Sequence, residues 1–306
     1  NKLHLRGFEF DEVNVKQFSA TFSELQDLTL IQCDINDELI NLLTLPSSLK
    51  SIRLERLNLS SKGIQSILEK LSHSLESLEV IDCLVSKLPQ QELSANSTSQ
   101  KDSLDLSKIC HLKKIHIDDL KENFDSYQLL LSLSLFPLER IKLSCVYLSN
   151  SQWTKLLNEW KGTNGVAFFN TLKEFDLKVG NIDGKPLTQL IQFSFSFPLL
   201  EIISFNTNYP KEESISLPLP SNIKQFSVPF KVFMEDGKRS FWNSKNLSQL
   251  THLTINDSFH MFPYNLFELE QLEYLEIWCS NYVDYLSTID RRCDKLKYLS
   301  IQSKYL

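Results

Sequence analysis

Glycine is scarce in this chain. Seven glycines and ten prolines occur in 306 residues, whereas average usage is about 7% glycine and 5% proline. That composition excludes a fibrous or flexible low-complexity chain. No apolar run reaches the roughly 18–20 residues that a membrane-spanning helix needs, and no signal peptide is visible at the start. The six cysteines, at 33, 83, 110, 145, 279 and 293, form no C-x-x-C pair and cluster at neither end. They read as six free thiols of a reducing compartment, cytoplasmic or nuclear. Four N-x-S/T sequons, at Asn58, Asn96, Asn246 and Asn256, are what an Asn- and Ser-rich chain produces by chance.

Signatures of chemistry are missing as well. There is no G-x-G-x-x-G, no P-loop, no H-E-x-x-H and no G-x-S-x-G. His111 and His116 lie near Cys110, but their spacing fits no standard zinc pattern. The expectation is a protein that is not an enzyme, with no cofactor and no metal. A formal net charge of −6 gives no support for general nucleic-acid binding.

What the chain does contain is one pattern, L-x-x-L-x-L, in eleven copies. Leu25/Leu28/Leu30, Leu49/Ile52/Leu54, Leu75/Leu78/Val80, Leu112/Ile115/Ile117 and Leu138/Ile141/Leu143 come first. Leu172/Phe175/Leu177, Leu200/Ile203/Phe205, Ile223/Phe226/Val228, Leu250/Leu253/Ile255, Leu272/Leu275/Ile277 and Leu296/Leu299/Ile301 follow. Successive starts lie 22 to 37 residues apart. Leu3 and Leu5 begin the chain part-way through a further copy. Counting the first leucine as position 1, the apolar residues at 4 and 6 alternate with variable ones, as in a half-buried strand. Return segments at Glu38–Leu43, Gly63–Leu71, Phe124–Leu135, Ser151–Trp160 and Leu187–Phe195 carry apolar residues at three- and four-residue steps, which predicts helices. Ser151 occupies an N-cap position before Trp153, Leu156, Leu157 and Trp160.

A period in the twenties with this signature resembles the leucine-rich repeat family, over nearly the whole chain. That family adds Asn or Cys at position 9. Here position 9 is Cys33, Cys83 and Asn208 in three copies, but Leu57, Leu120, Val146, Gly180 and Ser258 in others. A regular asparagine ladder is therefore absent. Helical returns and ladder cysteines resemble the ribonuclease-inhibitor-like subgroup. The resemblance implies one irregular α/β domain over 1–306, a solenoid or horseshoe of about twelve repeats with a parallel concave sheet and mostly helical convex returns. It is further similar to the substrate-binding part of fungal F-box leucine-rich-repeat proteins. That similarity implies a missing upstream F-box, a Skp-type adaptor and a role as the substrate-recognition subunit of a cullin-RING ubiquitin ligase. The alternatives are a non-catalytic scaffold or inhibitor subunit of another intracellular complex, or a pathogen effector.

Strand side chains alternate faces, so positions 3, 5 and 7 should point outward onto the surface that meets a partner. Two groups there are candidate protein contacts. Lys114, His116, Arg140 and Lys142 make a cationic pair of rungs bordered by Glu174 and Asp176. Tyr274, Trp278 and Tyr298 form an aromatic cluster, and Trp and Tyr are enriched among interface hot spots; His252, also outward, is a further candidate contact. The polar stretch Ser86–Ser103 and the segments Trp160–Asn170, Tyr209–Asn222 and Phe230–Asn246 are further candidate contact loops. A protein substrate is expected on the concave face or C-terminal rim, with no nucleic acid and no membrane as partner.

Overall fold

The computed structural model describes residues 1–83, 103–118, 124–162, 166–180, 182, 184–207, 220–229, 248–256, 270–279 and 293–303. These residues form an α/β arrangement in which every strand pairing is parallel. The chain divides into two compact units. One comprises Asn1–Tyr147 with Trp160–Thr171, and the other Leu148–Glu159 with Leu172–Leu306.

In the first unit the strands are β1 (Lys2–Arg6), β2 (Asp27–Ile31), β3 (Ser51–Glu55), β4 (Ser77–Ile81), β5 (Lys114–Ile117) and β6 (Arg140–Val146). Each pairs with the next in sequence order, and the register matches equal repeat positions: Leu28 opposite Ile52, Ile52 opposite Leu78, Leu78 opposite Ile115, Ile115 opposite Ile141. The second unit repeats this with β7 (Glu174–Val179), β8 (Ile202–Thr207), β9 (Gln225–Pro229), β10 (His252–Asn256), β11 (Tyr274–Cys279) and β12 (Tyr298–Ser303). The L-x-x-L-x-L spacing dictates this: positions 4 and 6 turn to one side and are covered. Leu28, Leu54, Leu78, Ile115, Ile141 and Leu253 are all buried. Each such side chain contributes about 1.5–3 kcal/mol of transfer free energy.

The returns are helices where the apolar steps predict them: α2 (Asp37–Leu42), α3 (Ser61–Lys70), α4 (Ser126–Leu133), α5 (Asn150–Trp160) and α6 (Gly184–Ser194). An unforeseen helix, α1 (Glu12–Thr21), follows β1. Asp11 caps it by accepting from the N–H of Val13 and Asn14, and Asn14 returns the bond to the Asp11 N–H. The α5 cap lies two residues earlier than predicted. Ser149 Oγ accepts from the Gln152 N–H at 3.3 Å, and Gln152 Oε1 accepts from the Ser149 N–H at 2.9 Å. That reciprocal bond satisfies two terminal donors at once. Between β4 and β5 the described residues 103–113 form no helix, and Leu104, Leu106 and Ile109 are buried there instead. The segment Trp160–Asn170 is partly covered over its described residues. Phe168 is buried edge-on against Trp160, 5.8 Å between centroids, and Ala167 donates to the Ser134 carbonyl.

Three devices recur where the asparagine ladder is missing, two of backbone alone and one of side chain to backbone. First, the position-2 carbonyl accepts two N–H groups from the next repeat: Gln26 O from Lys50 and Ser51, Lys50 O from Glu76 and Ser77, Glu273 O from Lys297 and Tyr298. Second, position 8 takes a left-handed conformation in Gly7, Gln32, Arg56, Asp82 and Cys145, with φ between 51° and 63°. This aims its N–H at the position-7 carbonyl of the following strand, at 2.9 Å for Gly7 to Ile31, Gln32 to Glu55 and Arg56 to Ile81. Third, the polar side chain just before position 1 reaches back to carbonyls of the preceding repeat. Ser48 Oγ donates to Leu25 O at 2.8 Å, Thr171 Oγ1 to Leu138 O at 2.8 Å, and Asn222 Nδ2 to Leu200 O. Of the position-9 thiols, Cys33 also donates to the preceding repeat, to Leu5 O at 3.5 Å, while Cys83 donates within its own repeat, to Ile81 O at 3.2 Å. Burial pushes the Cys83 thiol above the ordinary cysteine range.

Candidate protein-binding face

The outward face is built by the same alternation. In β2, β3 and β4 the residues at positions 4 and 6 are buried, while 3, 5 and 7 are part exposed. Equal positions sit opposite one another, so the outward residues line up in rows across the strands. One exception is Ser144 at position 7 of β6, which is buried.

In the first unit the position-5 row runs His4, Thr29, Arg53, Glu79, His116, Lys142. Sequence reading passed over its strongest cluster. Arg53 Nη2 donates to Glu55 Oε2 at 2.7 Å and Nη1 to Glu79 Oε2 at 3.0 Å, so one guanidinium ties two strands. The hydrogen bond from Arg53 holds the Glu55 carboxyl below its usual range, and Glu55 in return raises Arg53. The two carboxylates flanking an arginine were visible in the register, but only pairing shows that Glu79 lies across from it.

The cationic rungs come together as expected. Lys114 stands opposite Arg140, and His116 opposite Lys142. Like charges directly across a strand pair repel, and the pairs persist here. Burial, then the charge of Lys142, pushes His116 below the ordinary histidine range, against Glu79 and Asp118, which act the other way. Lys114, Arg140 and Lys142 are exposed. Glu174 and Asp176 lie on β7 in the second unit, opposite Ile202 and Ser204.

In the second unit the position-3 row runs Glu174, Ile202, Gln225, His252, Tyr274, Tyr298. Its last three rings stack. His252 and Tyr274 have centroids 5.5 Å apart at 21°, and Tyr274 and Tyr298 are 4.4 Å apart at 5°. Tyr298 is 48% exposed. Trp278 holds position 7 of β11, opposite Asn256 and Gln302, and its side chain lies outside the described residues. So do most of Ser86–Ser103, residues 209–219 and 230–247.

At the entrance edge of the strands, position 2 alternates in charge. Glu76 meets Lys50 at 3.2 Å and Lys113 at 2.7 Å, Glu201 meets Lys224 at 3.1 Å, and Glu273 meets Lys297 at 3.0 Å. Its hydrogen bond to Lys113, then that to Lys50, holds Glu76 below the usual carboxylate range. This row is legible in the sequence once position 2 is read down the repeats: Lys50, Glu76, Lys113, Glu139.

Among the described residues no group of three His, Cys, Asp or Glu side chains is placed to hold a metal ion. Nor is any described helix long and apolar enough to cross a membrane. The described cysteines 33, 83, 110, 145 and 293 are free thiols. No protein-family model and no curated protein matches the chain.

Proposed function

We propose that this chain is a leucine-rich-repeat recognition module that binds another protein on its outward strand face and carries no chemistry of its own. One observation supports this best: outward side chains of like repeat position align in rows, one of which ends in a three-ring stack whose last described ring, Tyr298, is exposed. Surfaces with exposed aromatic anchors beside charge are the anatomy of protein interfaces. The parallel strands, helical returns and inter-repeat carbonyl bonds support the horseshoe reading, in which this face is concave.

Within that reading, the module holds a substrate for a Skp/cullin/F-box ubiquitin ligase, and a full-length protein carries the F-box that meets the adaptor. This step rests on resemblance, since fold alone does not fix function. Tagged full-length protein, purified from its own cells, should bring down a Skp-type adaptor and a cullin in stoichiometric amounts. A stable complex that lacks both refutes the ligase role and favours a scaffold or inhibitor subunit.

A further inference from the structure

Glu276 sits at position 5 of β11, two residues on from Tyr274 and the next outward side chain after it. Its carboxylate accepts from the Tyr274 hydroxyl at 3.3 Å and from Gln302 Nε2 at 3.4 Å. Both contacts are long beside the roughly 2.7–2.9 Å of a strong charge-assisted bond. Among the described residues Glu276 makes no ion pair, whereas Glu273, three residues earlier, is paired with Lys297. The outward positions of β10, β11 and β12 are His252, Thr254, Asn256, Tyr274, Glu276, Trp278, Tyr298, Ser300 and Gln302. None is Lys or Arg. The patch thus offers a carboxylate and stacked rings with no lysine or arginine of its own among those positions.

The rings sharpen the choice of occupant. Tyr274 and Tyr298 are within 5° of parallel, and Tyr298 is the last described ring of the row. Aromatic faces are electron-rich, so a further ring laid squarely face to face is disfavoured against an offset or edge-on one. A cation over the exposed part of the Tyr298 ring face is attracted by the same charge distribution. An anion is repelled by ring face and carboxylate alike. Burial, and after it the charge of Glu276, raises the Tyr274 phenol above its ordinary range. Between the two cationic side chains, guanidinium fits better than ammonium. It is planar, weakly hydrated, stacks on rings and meets a carboxylate with a two-toothed fork.

We propose that Tyr298, Tyr274 and Glu276 form a recognition site for an arginine side chain of the bound protein, stacked on the tyrosine row and paired with the carboxylate. This rests on the reading of the outward face as a protein-binding surface.

The test uses the chain with ring-labelled tyrosine, followed by NMR. The probes are blocked five-residue peptides, glycine throughout except for a central arginine, lysine or citrulline. The arginine peptide should shift the Tyr274 and Tyr298 ring signals saturably, and added salt should weaken it. Lysine should bind about two- to fivefold more weakly, and citrulline, which keeps the shape without the charge, should not saturate. Glu276→Gln should weaken the arginine peptide about two- to fivefold at unchanged melting temperature. Tyr298→Leu should abolish the effect on Tyr274. Equal binding of citrulline, equal binding of lysine, or full affinity in Glu276→Gln each overturns the assignment. So does the absence of any saturable shift. If the peptides fail while a protein partner still protects outward residues of β2–β6, the arginine site falls and the protein-binding reading stands. If no partner touches the outward face at all, that reading falls as well.

Discussion

Gly63→Ala should destabilise the protein, although it places alanine in a helix. In an ordinary exposed helix interior this exchange gains about 1 kcal/mol, because glycine has more backbone freedom to lose. Gly63 is the third residue of α3, where the chain admits a carboxylate from the preceding repeat. Asp37 Oδ1 accepts from the Ser60 N–H at 2.9 Å, and Asp37 Oδ2 accepts from Ser60 Oγ at 2.5 Å. A Cβ on residue 63 would lie 2.2 Å from Asp37 Oδ1 and 3.3 Å from Leu59 Cδ2. The carboxylate must therefore leave, and the backbone behind it is fixed at the start of α2. Losing charge-assisted bonds costs about 1.5–3 kcal/mol, against a propensity gain of about 1 kcal/mol that shrinks near a helix end. The net expectation is a loss of about 1–2 kcal/mol from those two terms. Urea unfolding followed by circular dichroism reads it as a lower midpoint at unchanged slope. The mechanism also fixes the double variant. Asp37→Ala removes the obstructing oxygen, so Gly63→Ala added to it should be neutral or stabilising. A single Gly63→Ala variant as stable as wild type refutes the argument, and so do additive effects in the pair, because residues in direct contact must couple.

Leu78→Ala should cost about 2–5 kcal/mol, since Leu78 is fully buried as the second residue of β4, which lies between β3 and β5; an unchanged thermal melt shows the repeat register to be wrong. Lys70→Met should cost about 1–2 kcal/mol in the same assay. Its ammonium donates to the Ile40, Asn41 and Leu43 carbonyls at 2.7, 2.8 and 2.7 Å, capping the end of α2 from α3, and a neutral result makes the cap dispensable. The pH dependence follows from Glu76, whose carboxyl is held below its reference value of 4.5 by Lys113 and Lys50. Its contribution is complete above that reference value and is lost as pH falls through the lower folded value, so Glu76→Gln should lose less stability than wild type between neutral and acid pH; an identical acid limb in both proteins contradicts the linkage.

The strands were legible because their signal is local and repeated. Apolar residues at positions 1, 4 and 6 specify which side is covered, and the covered residues of β2 to β7 follow that pattern. Helices α2 to α6 were legible through three- and four-residue apolar steps. Helix α1 was not, because its buried face is thin, with Val15 and Phe18 as its buried apolar residues; its signal was the Asp11/Asn14 cap. The candidate face divides in the same way. Which residues point outward follows from alternation, so the rungs Lys114/Arg140 and His116/Lys142 and the neighbouring Tyr274 and Tyr298 were readable, whereas the place of His252 in their stack was not. Which of them pair depends on side-chain reach, so the Arg53 fork to Glu55 and Glu79 needed coordinates. The devices that join the repeats were hidden for another reason. They run through backbone carbonyls and a left-handed residue at position 8, and Gln32, Arg56, Asp82 and Cys145 carry no shared side-chain signal for it.

That hidden layer bears on what the outward face is free to do. A regular ladder of side chains would tie stability to a few invariant positions. Here the joints between repeats are made by position-2 carbonyls, by position-8 N–H groups, and by residues such as Ser48, Thr171 and Asn222 that lie at the start of each repeat. None of these is a side chain at position 3, 5 or 7. The apolar residues at 4 and 6 face the other way. Outward side chains therefore carry little of the folding free energy, apart from clusters such as Arg53 with its two glutamates, and exposed ion pairs are worth about 0–1 kcal/mol even there. Substitution on that face is cheap in stability and consequential for recognition. This is the physical condition under which a repeat array can change its partner without losing its fold, and it explains how an aromatic row beside a carboxylate that makes no ion pair among the described residues can persist there.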